Sequence, residues 1–289
     1  MKSKKKILFF GATSFAAEDL IKVLKSKYVI LNLSRSKKDD LKNIYFDLKN
    51  IDHSINKINR IKNIEYLFFF SSYVPFKEKY SNLNKCFSSN VYSPIDLLSK
   101  LKIRPKKIIL ASSCSIYGNH KKNINENSLL NLENNYSISK YLQENIFRIY
   151  CRENSIKFLS LRLGYVYNKN LNKKKIIKII INKIKNKKKF KVFNQEKLRF
   201  NLIHTKDIAN ITARILIKGK GIFNLVNNEI LSLKRMIKII SDNLNKEIKY
   251  KNINHKTLIK SSTISSKKIF KRYNIKPKIQ FKYGVKDLI

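Results

Sequence analysis

Short apolar runs alternate with longer amphipathic segments through the first 165 residues of the chain. The run at 64–70 is apolar almost throughout, which is typical of a parallel strand that is buried on both faces of its sheet. Strand and helix in alternation predict a doubly wound parallel sheet, so we expect an α/β, Rossmann-like fold. The predicted strands are 5–10, 28–33, 43–46, 64–70, 107–113 and 157–162.

The alternation becomes less regular beyond residue 163. Helices are predicted at 173–185, 207–217 and 231–244, with short strands at 190–193 and 221–226 between them. We expect a dinucleotide-binding Rossmann domain at 1–165, to which about 200–225 returns. Residues 166–289 otherwise form a smaller C-terminal α/β substrate domain, which caps the first.

The first strand leads into a loop of small residues, Gly11-Ala12-Thr13-Ser14-Phe15-Ala16-Ala17. Small residues let the backbone approach a pyrophosphate, and the N-terminus of the following helix offers unpaired N–H groups to it. Ser14 and Ala17 replace the second and third glycines of the G-x-x-G-x-x-G pattern, but both are small. The predicted cofactor contacts in this loop are Gly11, Thr13, Ser14, Phe15 and Ala17.

The ends of the next three strands supply further candidate cofactor contacts. Ser34 and Arg35 follow the second strand, where a carboxylate would bind a ribose 2′-hydroxyl and a cation would bind a 2′-phosphate. NADP is therefore favoured over NAD, which remains possible. Asp47-Leu48 follows the third strand, and the carboxylate either reaches an adenine edge or lies in solvent. Ser71-Ser72 follows the fourth strand, at the edge where open α/β sheets bind ligands.

A tyrosine and a lysine four residues apart form the main candidate catalytic pair. Tyr136 and Lys140 lie in a segment, 136–153, with helical periodicity, so their side chains should share one face. An ammonium about 4 Å from the phenol, at an effective dielectric of about 20, is worth up to about 4 kcal/mol and brings the phenol pKa towards neutrality. Ser113, which ends the strand at 107–113, could hold a substrate oxygen beside Tyr136. Taken alone, the spacing is common, and a surface tyrosine and lysine is the simpler interpretation.

The net charge of +44 does not by itself indicate a nucleic-acid partner. The lysines are spread along the whole chain beside abundant Ile and Asn, and no known nucleic-acid-binding motif accompanies them. We expect no dedicated nucleic-acid or membrane partner, since no apolar run approaches about 18 residues. The three cysteines form no C-x-x-C pair, which favours a reduced, cytoplasmic protein. No metal site is predicted.

The order of these motifs resembles an extended short-chain dehydrogenase/reductase of the NAD-dependent epimerase/dehydratase family. The matching pieces are the start at 7–17, Asp47-Leu48, Asn90-Val91, Ser112-Ser113 before Ile116-Tyr117-Gly118, Tyr136 to Lys140, Leu161-Arg162 before Val166-Tyr167, Ile203-His204 before Asp207-Ile208-Ala209, and 221–225. The resemblance implies that Tyr136 is the general acid/base. It also implies that Lys140 lowers the pKa of Tyr136 and binds the nicotinamide ribose, and that Ser113 hydrogen-bonds the substrate oxygen. For Asn90 we favour a structural role.

The resemblance also implies substrate contacts, with some departures from the family pattern. Cys114-Ser115 stands where sugar dehydratases typically carry Asp-Glu, so dehydration is disfavoured. Tyr165 replaces an Asn that often holds a diphosphate, and Arg199 lies one position before the usual Arg, which is Phe200 here. The predicted substrate-binding residues are Ser113, Tyr165, Arg199 and His204.

The expected function is an NAD(P)-dependent epimerase or 4-keto-reductase that acts on a nucleotide-activated sugar by hydride transfer. Release of the reduced sugar gives a reductase, whereas rotation of a keto-sugar within the site gives an epimerase. Tyr165 and Phe200 leave open a reductase for a carbonyl compound without a nucleotide. The incomplete glycine pattern leaves open a non-catalytic dinucleotide-binding module. A homodimer is a possible assembly.

Overall fold

Twelve strands form three sheets within the residues that the computed structural model describes, which are 4–75, 79–118, 123–247, 250–254 and 263–289. The strands are β1 (Lys6–Phe10), β2 (Val29–Ser34), β3 (Lys42–Tyr45), β4 (Ile64–Phe69), β5 (Lys107–Ser113), β6 (Lys157–Leu163), β7 (Tyr165–Tyr167), β8 (Phe190–Phe193), β9 (Arg199–His204), β10 (Gly221–Leu225), β11 (Ile230–Ser232) and β12 (Tyr250–Ile253).

Helices connect most of these strands. The α-helices are α1 (Glu18–Leu24), α2 (Asp52–Asn59), α3 (Leu83–Phe87), α4 (Ser93–Lys100), α5 (Asn135–Glu153), α6 (Ile176–Lys185), α7 (Thr205–Ile215), α8 (Leu233–Leu244), α9 (Lys267–Tyr273) and α10 (Phe281–Gly284). The three helices predicted at 173–185, 207–217 and 231–244 are present as α6, α7 and α8, and each observed end lies within three residues of the predicted one. Short 3-10 turns occupy Phe15–Ala17 and Cys114–Tyr117, and a π-helical turn occupies Ser88–Tyr92.

The largest sheet has seven parallel strands in the order β10-β6-β5-β4-β1-β2-β3. The chain winds outwards from β1 in one direction and from β4 in the other, which is the doubly wound arrangement. The predicted Rossmann-like α/β fold is therefore confirmed. Since all seven strands are parallel, their carboxyl ends lie along a single edge of the sheet.

Both faces of the large sheet are covered, because successive side chains of its central strands enter two separate cores. Ile7, Phe9 and Phe68 belong to the core on one face, and the Phe9 and Phe68 rings stack with centroids 5.0 Å apart. Leu8 and Phe10 belong to the core on the other face. Burial on both faces explains why these strands are continuously apolar in sequence.

The C-terminal part of the chain builds two smaller sheets, β11-β9-β7 and β12-β8, around a core of its own. α7 packs against α1, and β10 pairs with β6 at the edge of the large sheet. β9, by contrast, lies in the small sheet. Ile269 and Ile275 also enter a core of the large sheet.

α5 begins with a capping box that sets its first turn. The Asn134 side chain accepts a hydrogen bond from the Ser137 backbone N–H at 2.8 Å, and the Asn134 N–H donates to Ser137 Oγ at 3.1 Å. These bonds satisfy donors that helix formation would otherwise leave unpaired. α5 therefore starts one residue before Tyr136, so Tyr136 lies in its first turn.

A buried ion pair attaches α5 to the large sheet. Arg162, on β6, donates to both carboxylate oxygens of Glu144 on α5, and the shortest N–O distance is 2.6 Å. Ser160 Oγ donates to the same carboxylate at 2.7 Å, and Arg162 also donates to the Tyr117 hydroxyl at 2.6 Å. Burial disfavours the Arg162 charge, but the bonds to Glu144 raise its pKa above the ordinary value. Arg162 is therefore charged at neutral pH.

The substitution Glu144→Leu should lower the free energy of unfolding by about 3–5 kcal/mol, because it leaves the Arg162 guanidinium buried and unpaired. The double variant Glu144→Leu/Arg162→Met should recover much of that loss, since no unpaired charge remains. Urea unfolding monitored by circular dichroism measures both. Asp242→Asn, which breaks the exposed Lys238–Asp242 pair on α8, is the control and should change stability by less than about 0.5 kcal/mol. A single variant as stable as the parent would contradict this account of the pair.

Candidate active site

A cavity of about 690 Å³ lies between the carboxyl edge of the large sheet and the small sheet that contains β7 and β9. Its walls come from the loop after β1, the end of β5, the start of α5 and the C-terminal region. The polar and aromatic side chains that line it include Ser14, Phe15, Ser72, Ser112, Ser113, Ser115, Tyr136, Lys140, Tyr165, Asn172, Lys175, Arg199, Phe200 and Asn201. The cavity thus brings together Ser113, Tyr136 and Lys140, which the sequence predicted as the catalytic group.

Lys140 is buried beside Tyr136 on the cavity side of α5. Its Nζ donates to the Ala111 carbonyl at 2.8 Å and to Gln143 Oε1 at 2.5 Å, and the residue is only 2% exposed. Burial lowers the pKa of Lys140 to about 7, although the Glu144 carboxylate opposes this change. Lys140 therefore titrates close to neutral pH, whereas an ordinary lysine is fully charged there.

Ser113 ends β5 and caps the 3-10 turn that follows it. Its Oγ accepts a hydrogen bond from the Ser115 backbone N–H at 3.1 Å. An N–H donor thus engages the oxygen of the Ser113 hydroxyl, so its O–H can donate to an acceptor in the cavity. The strand end and the cap together fix this hydroxyl opposite α5.

Several buried hydroxyls on the cavity wall have no hydrogen-bond partner among the described residues. They belong to Ser14, Ser112, Ser115 and Tyr165. Buried polar groups are usually paired, so a cluster of unpaired ones indicates contacts that a bound molecule or water would supply. Burial raises the pKa of Tyr165 to about 12, which keeps it a neutral donor. Ser112, directly before Ser113, and Ser115, two residues after it, are not among the contacts predicted from the sequence.

The loop after β1 passes very close to the backbone that follows β4. Gly11 has a φ of +82°, and a Cβ there would lie 2.6 Å from the Ser71 backbone nitrogen, so only glycine fits this turn. Ser14 and Phe15 line the cavity, whereas Thr13 is exposed beside them. Ala17 is fully buried in the core between α1 and the sheet, which is the helix packing that a small residue allows.

The other predicted cofactor residues lie at the same carboxyl edge but outside the cavity lining, except Ser72. Ser34 Oγ accepts from the Ser36 N–H at 3.1 Å, and Arg35 is exposed beside it. Lys38, which the sequence did not single out, donates to the Ala12 carbonyl at 3.3 Å and joins this turn to the loop after β1. A cationic surface therefore lies near that loop.

Asp47 and Leu48 follow β3 and have local contacts. Asp47 Oδ1 accepts from the Lys49 N–H at 3.0 Å, so the carboxylate stabilises a turn. Leu48 packs against the core on one face of the sheet. Ser71 follows β4, where its backbone nitrogen borders Gly11.

The predicted substrate residues divide into two groups. Tyr165 and Arg199 line the cavity, where the Tyr165 and Phe200 rings meet edge to face at 6.1 Å. His204 does not line it. The His204 ring is 1% exposed, its Nδ1 accepts from the Lys206 N–H as the N-cap of α7, and its Nε2 lies 3.3 Å from Asp287. These contacts are structural, so the geometry gives no support to the predicted substrate contact of His204.

The expected structural role of Asn90 agrees with its contacts. Its Oδ1 accepts from Ser72 Oγ at 3.0 Å and from the Tyr73 N–H at 2.7 Å, while Nδ2 donates to the Tyr73 carbonyl and to Ser139 Oγ. All four contacts are within the protein, and the side chain is fully buried. Asn90 thereby ties the end of β4 to α5.

Within the described ranges, no group of three or more His, Cys, Asp or Glu side chains could hold a metal ion. None of the helices in those ranges is both long and apolar enough to cross a membrane.

Comparison with a known protein places the sequence beside a sugar-nucleotide enzyme. Over 202 residues the chain is 28% identical to the dTDP-4-dehydro-6-deoxyglucose reductase of Escherichia coli. The match covers 68% of this chain and 63% of the length of that relative.

Comparison with solved structures agrees with the fold. UDP-glucuronic acid 4-epimerase from Bacillus cereus, solved with UDP-glucuronic acid and NAD, superposes with a TM-score of 0.86 at 17% identity, over 98% of this chain and 97% of that one. UDP-glucose 4-epimerase from Thermotoga maritima, solved with UDP-glucose, gives 0.84 at 18% identity, over 97% and 96%. At such identities the likeness establishes the fold.

The sequence profile described as "NAD dependent epimerase/dehydratase family" matches residues 7–225. That range runs from β1 to the end of β10 and includes Ser113, Tyr136 and Lys140. It confirms the family and the NAD(P)-dependent enzyme class that the order of motifs predicted. Because the profile covers most of the sequence, the chain belongs to the NAD-dependent epimerase/dehydratase family.

Proposed function

We propose that the protein is an NADP-dependent 4-keto-reductase of a nucleotide-activated sugar. One observation carries the proposal. A single cavity joins Ser113, Tyr136 and Lys140 to the loop after β1 on one side and to the cationic side chains of Lys175 and Arg199 on the other. The catalytic group thus lies between a dinucleotide site and a site suited to a diphosphate.

The residues of the loop after β1 fit a dinucleotide. Gly11 lets this loop pass against the backbone at Ser71, and the buried Ser14 hydroxyl has no partner within the described chain. Ser14 and Phe15 also line the cavity. A bound nicotinamide dinucleotide supplies the hydride, and Gly11, Ser14, Phe15 and Lys140 are the residues proposed to hold it.

The protein's own residues manage the proton. In reduction, the Tyr136 hydroxyl gives its proton to the substrate carbonyl oxygen, which becomes the product hydroxyl, and the Ser113 O–H donates a hydrogen bond to that oxygen. The Lys140 ammonium stabilises the tyrosinate that remains until a proton from solvent restores the phenol. Oxidation of a sugar hydroxyl reverses each step.

A reductase is favoured over an epimerase by the cations near the cofactor site. Arg35 is exposed at the end of β2, and the ammonium of Lys38 reaches the loop after β1. Both suit the 2′-phosphate of NADP, the cofactor that serves net reduction in most cells. The sequence similarity to a sugar-nucleotide reductase supports the same choice.

The substitution Tyr136→Phe should lower kcat by about 10²–10⁴-fold, because it removes the proton donor while keeping the ring. NADPH binding should change little. Turnover is measured as NADPH oxidation with a panel of 4-keto nucleotide sugars that includes dTDP-4-dehydro-6-deoxyglucose. Tyr141→Phe, five residues along the same helix, is the matched control and should keep full activity. Parent-like turnover by Tyr136→Phe would leave the non-catalytic module as the better account.

The substitution Arg35→Ala should weaken NADPH binding about tenfold, because a charge-assisted bond to the 2′-phosphate is lost. NADH binding should change less than about twofold, since NADH lacks that phosphate. Fluorescence titration measures both affinities. Lys37→Ala, an exposed cation in the same turn, serves as the control. Equal weakening of NADPH and NADH would refute the NADP preference.

The substitutions Lys175→Ala and Arg199→Ala should each raise KM about tenfold and leave kcat nearly unchanged, because they act on binding rather than on proton transfer. UDP, GDP or dTDP should compete with the substrate of the parent enzyme. Lys173→Ala, on the same segment but outside the cavity lining, is the control. If no diphosphate competes and neither variant changes KM, the substrate is a carbonyl compound without a nucleotide, as Tyr165 and Phe200 would then favour.

A further inference from the structure

Gln143 is a buried side chain next to Lys140 that the proposed proton transfer does not use directly. It lies three residues after Lys140 on α5, so the two side chains share a face of the helix. Gln143 is fully buried, and its Oε1 accepts from Lys140 Nζ at 2.5 Å. The orientation of the amide follows from chemistry, since an ammonium only donates and must face the oxygen.

The amide nitrogen of Gln143 has no hydrogen-bond partner among the described residues. A buried unpaired donor destabilises a fold, and an apolar side chain of the same length would fill the space without it. Packing therefore does not explain a glutamine at this position. What glutamine adds over an apolar side chain is the Oε1 atom, which accepts a hydrogen bond from Lys140 Nζ.

The other acceptors near Lys140 are either engaged by other residues or belong to the backbone. Glu144 lies on the same face, but its carboxylate is engaged by Arg162 and Ser160. The Ala111 carbonyl is the second acceptor within hydrogen-bond distance of Nζ. Among the described side chains, Gln143 is thus the one that accepts a hydrogen bond from the Lys140 ammonium.

Several titratable groups pack around this part of α5. They are Tyr136 and Glu144 on α5, Arg162 on β6, Cys114 and Tyr117 in the turn after β5, Cys86 on α3, and Asp96 and Lys100 on α4. Burial raises the pKa of Cys114 and of Tyr117, so both stay neutral. Asp96 and Lys100 pair with each other at the surface.

We infer that Gln143 is a positioning residue that holds the Lys140 ammonium against the cavity and sets the pH range over which Lys140 stays charged. The role in catalysis rests on the proposed function, but the effect on the Lys140 charge does not. A hydrogen bond to the charged form favours that form. Gln143 Oε1 thereby offsets part of the burial that brings the pKa of Lys140 to about 7.

The test uses two variants with opposite expected effects. Gln143→Met removes the acceptor at nearly constant length and should lower the Lys140 titration midpoint by about one pH unit, a tenfold change in proton affinity. Gln143→Glu places a carboxylate beside Lys140 Nζ and should raise the Lys140 titration midpoint. The midpoint is read from the ¹³Cε resonance of Lys140, assigned as the signal that is missing in Lys140→Arg. Gln280→Met, at an exposed glutamine, is the control for the substitution itself.

The pH dependence of kcat/KM is a second measurement on the same variants. The charged form of Lys140 exists below its pKa, so kcat/KM should fall as pH rises through that value. This basic limb should move to lower pH in Gln143→Met and to higher pH in Gln143→Glu. A merely structural glutamine would not move it, and thermal unfolding should show Gln143→Met to be no less stable than the parent because an unpaired donor is removed.

The outcomes separate the two proposals. Unchanged Lys140 midpoints in both folded variants would overturn the role of Gln143, whatever their activity. Shifted midpoints in a protein that reduces none of the sugar nucleotides would support Gln143 and count against the proposed function instead. If Gln143→Met fails to fold, Gln143→Glu still decides, since a midpoint that stays in place or moves down would refute the inference.

Discussion

The buried Glu144–Arg162 ion pair ties α5 to β6, and the position of the proposed catalytic side chains on α5 depends on it. A helix that packs on a sheet normally buries an apolar stripe. α5 instead buries Ser137, Ser139, Lys140, Gln143 and Glu144 along with Phe147 and Cys151. Buried polar groups are tolerated when partners are placed for them, and such partners allow only one rotation of the helix about its axis. Arg162, the Ala111 carbonyl and Asn90 are those partners, so Tyr136 and Lys140 have little freedom to leave the cavity.

The network of Glu144 and Arg162 reaches beyond α5 to β10, and separate bonds join the C-terminal region to the segment after β1. Tyr117 receives a bond from Arg162 and donates to Asn224 on β10 at 2.8 Å. On the opposite side, Asn168 donates to the Phe15 carbonyl and Thr205 donates to Asp19 at 2.5 Å. The C-terminal region is therefore hydrogen-bonded to the loop and helix that follow β1. Polar bonds stabilise the segments around the proposed catalytic residues, while the two apolar cores stabilise the large sheet.

The sequence allowed the large sheet to be predicted because its central strands, such as β1 and β4, are buried on both faces and are apolar almost throughout. Ser113, Tyr136 and Lys140 could be proposed from the sequence because each lies within a single predicted element, a strand end or a helix. His204 was predicted as a substrate contact by its position in a motif, but its neighbour Asp287 lies 83 residues later, and local sequence does not encode that contact. Lys175 was not predicted, for a different reason. In a chain with 63 lysines and arginines, one more lysine carries no signal until the fold places it on the cavity wall.

Two buried lysines illustrate why placement decides function. Burial lowers the pKa of Lys107 to about 8 and that of Lys140 to about 7, so the shifts alone do not distinguish them. Lys107, at the start of β5, donates to the carbonyls of Leu216 and Ile217 at the end of α7. Those orphan carbonyls need a donor, so Lys107 acts as a helix cap at the edge of the sheet opposite the cavity. The pKa of Lys140 is lowered to a similar extent. Lys140, however, lies beside Tyr136 at the carboxyl edge, on a cavity where a bound molecule could exchange a proton. A perturbed lysine therefore indicates a functional site only when the topology also places it at the ligand-binding edge.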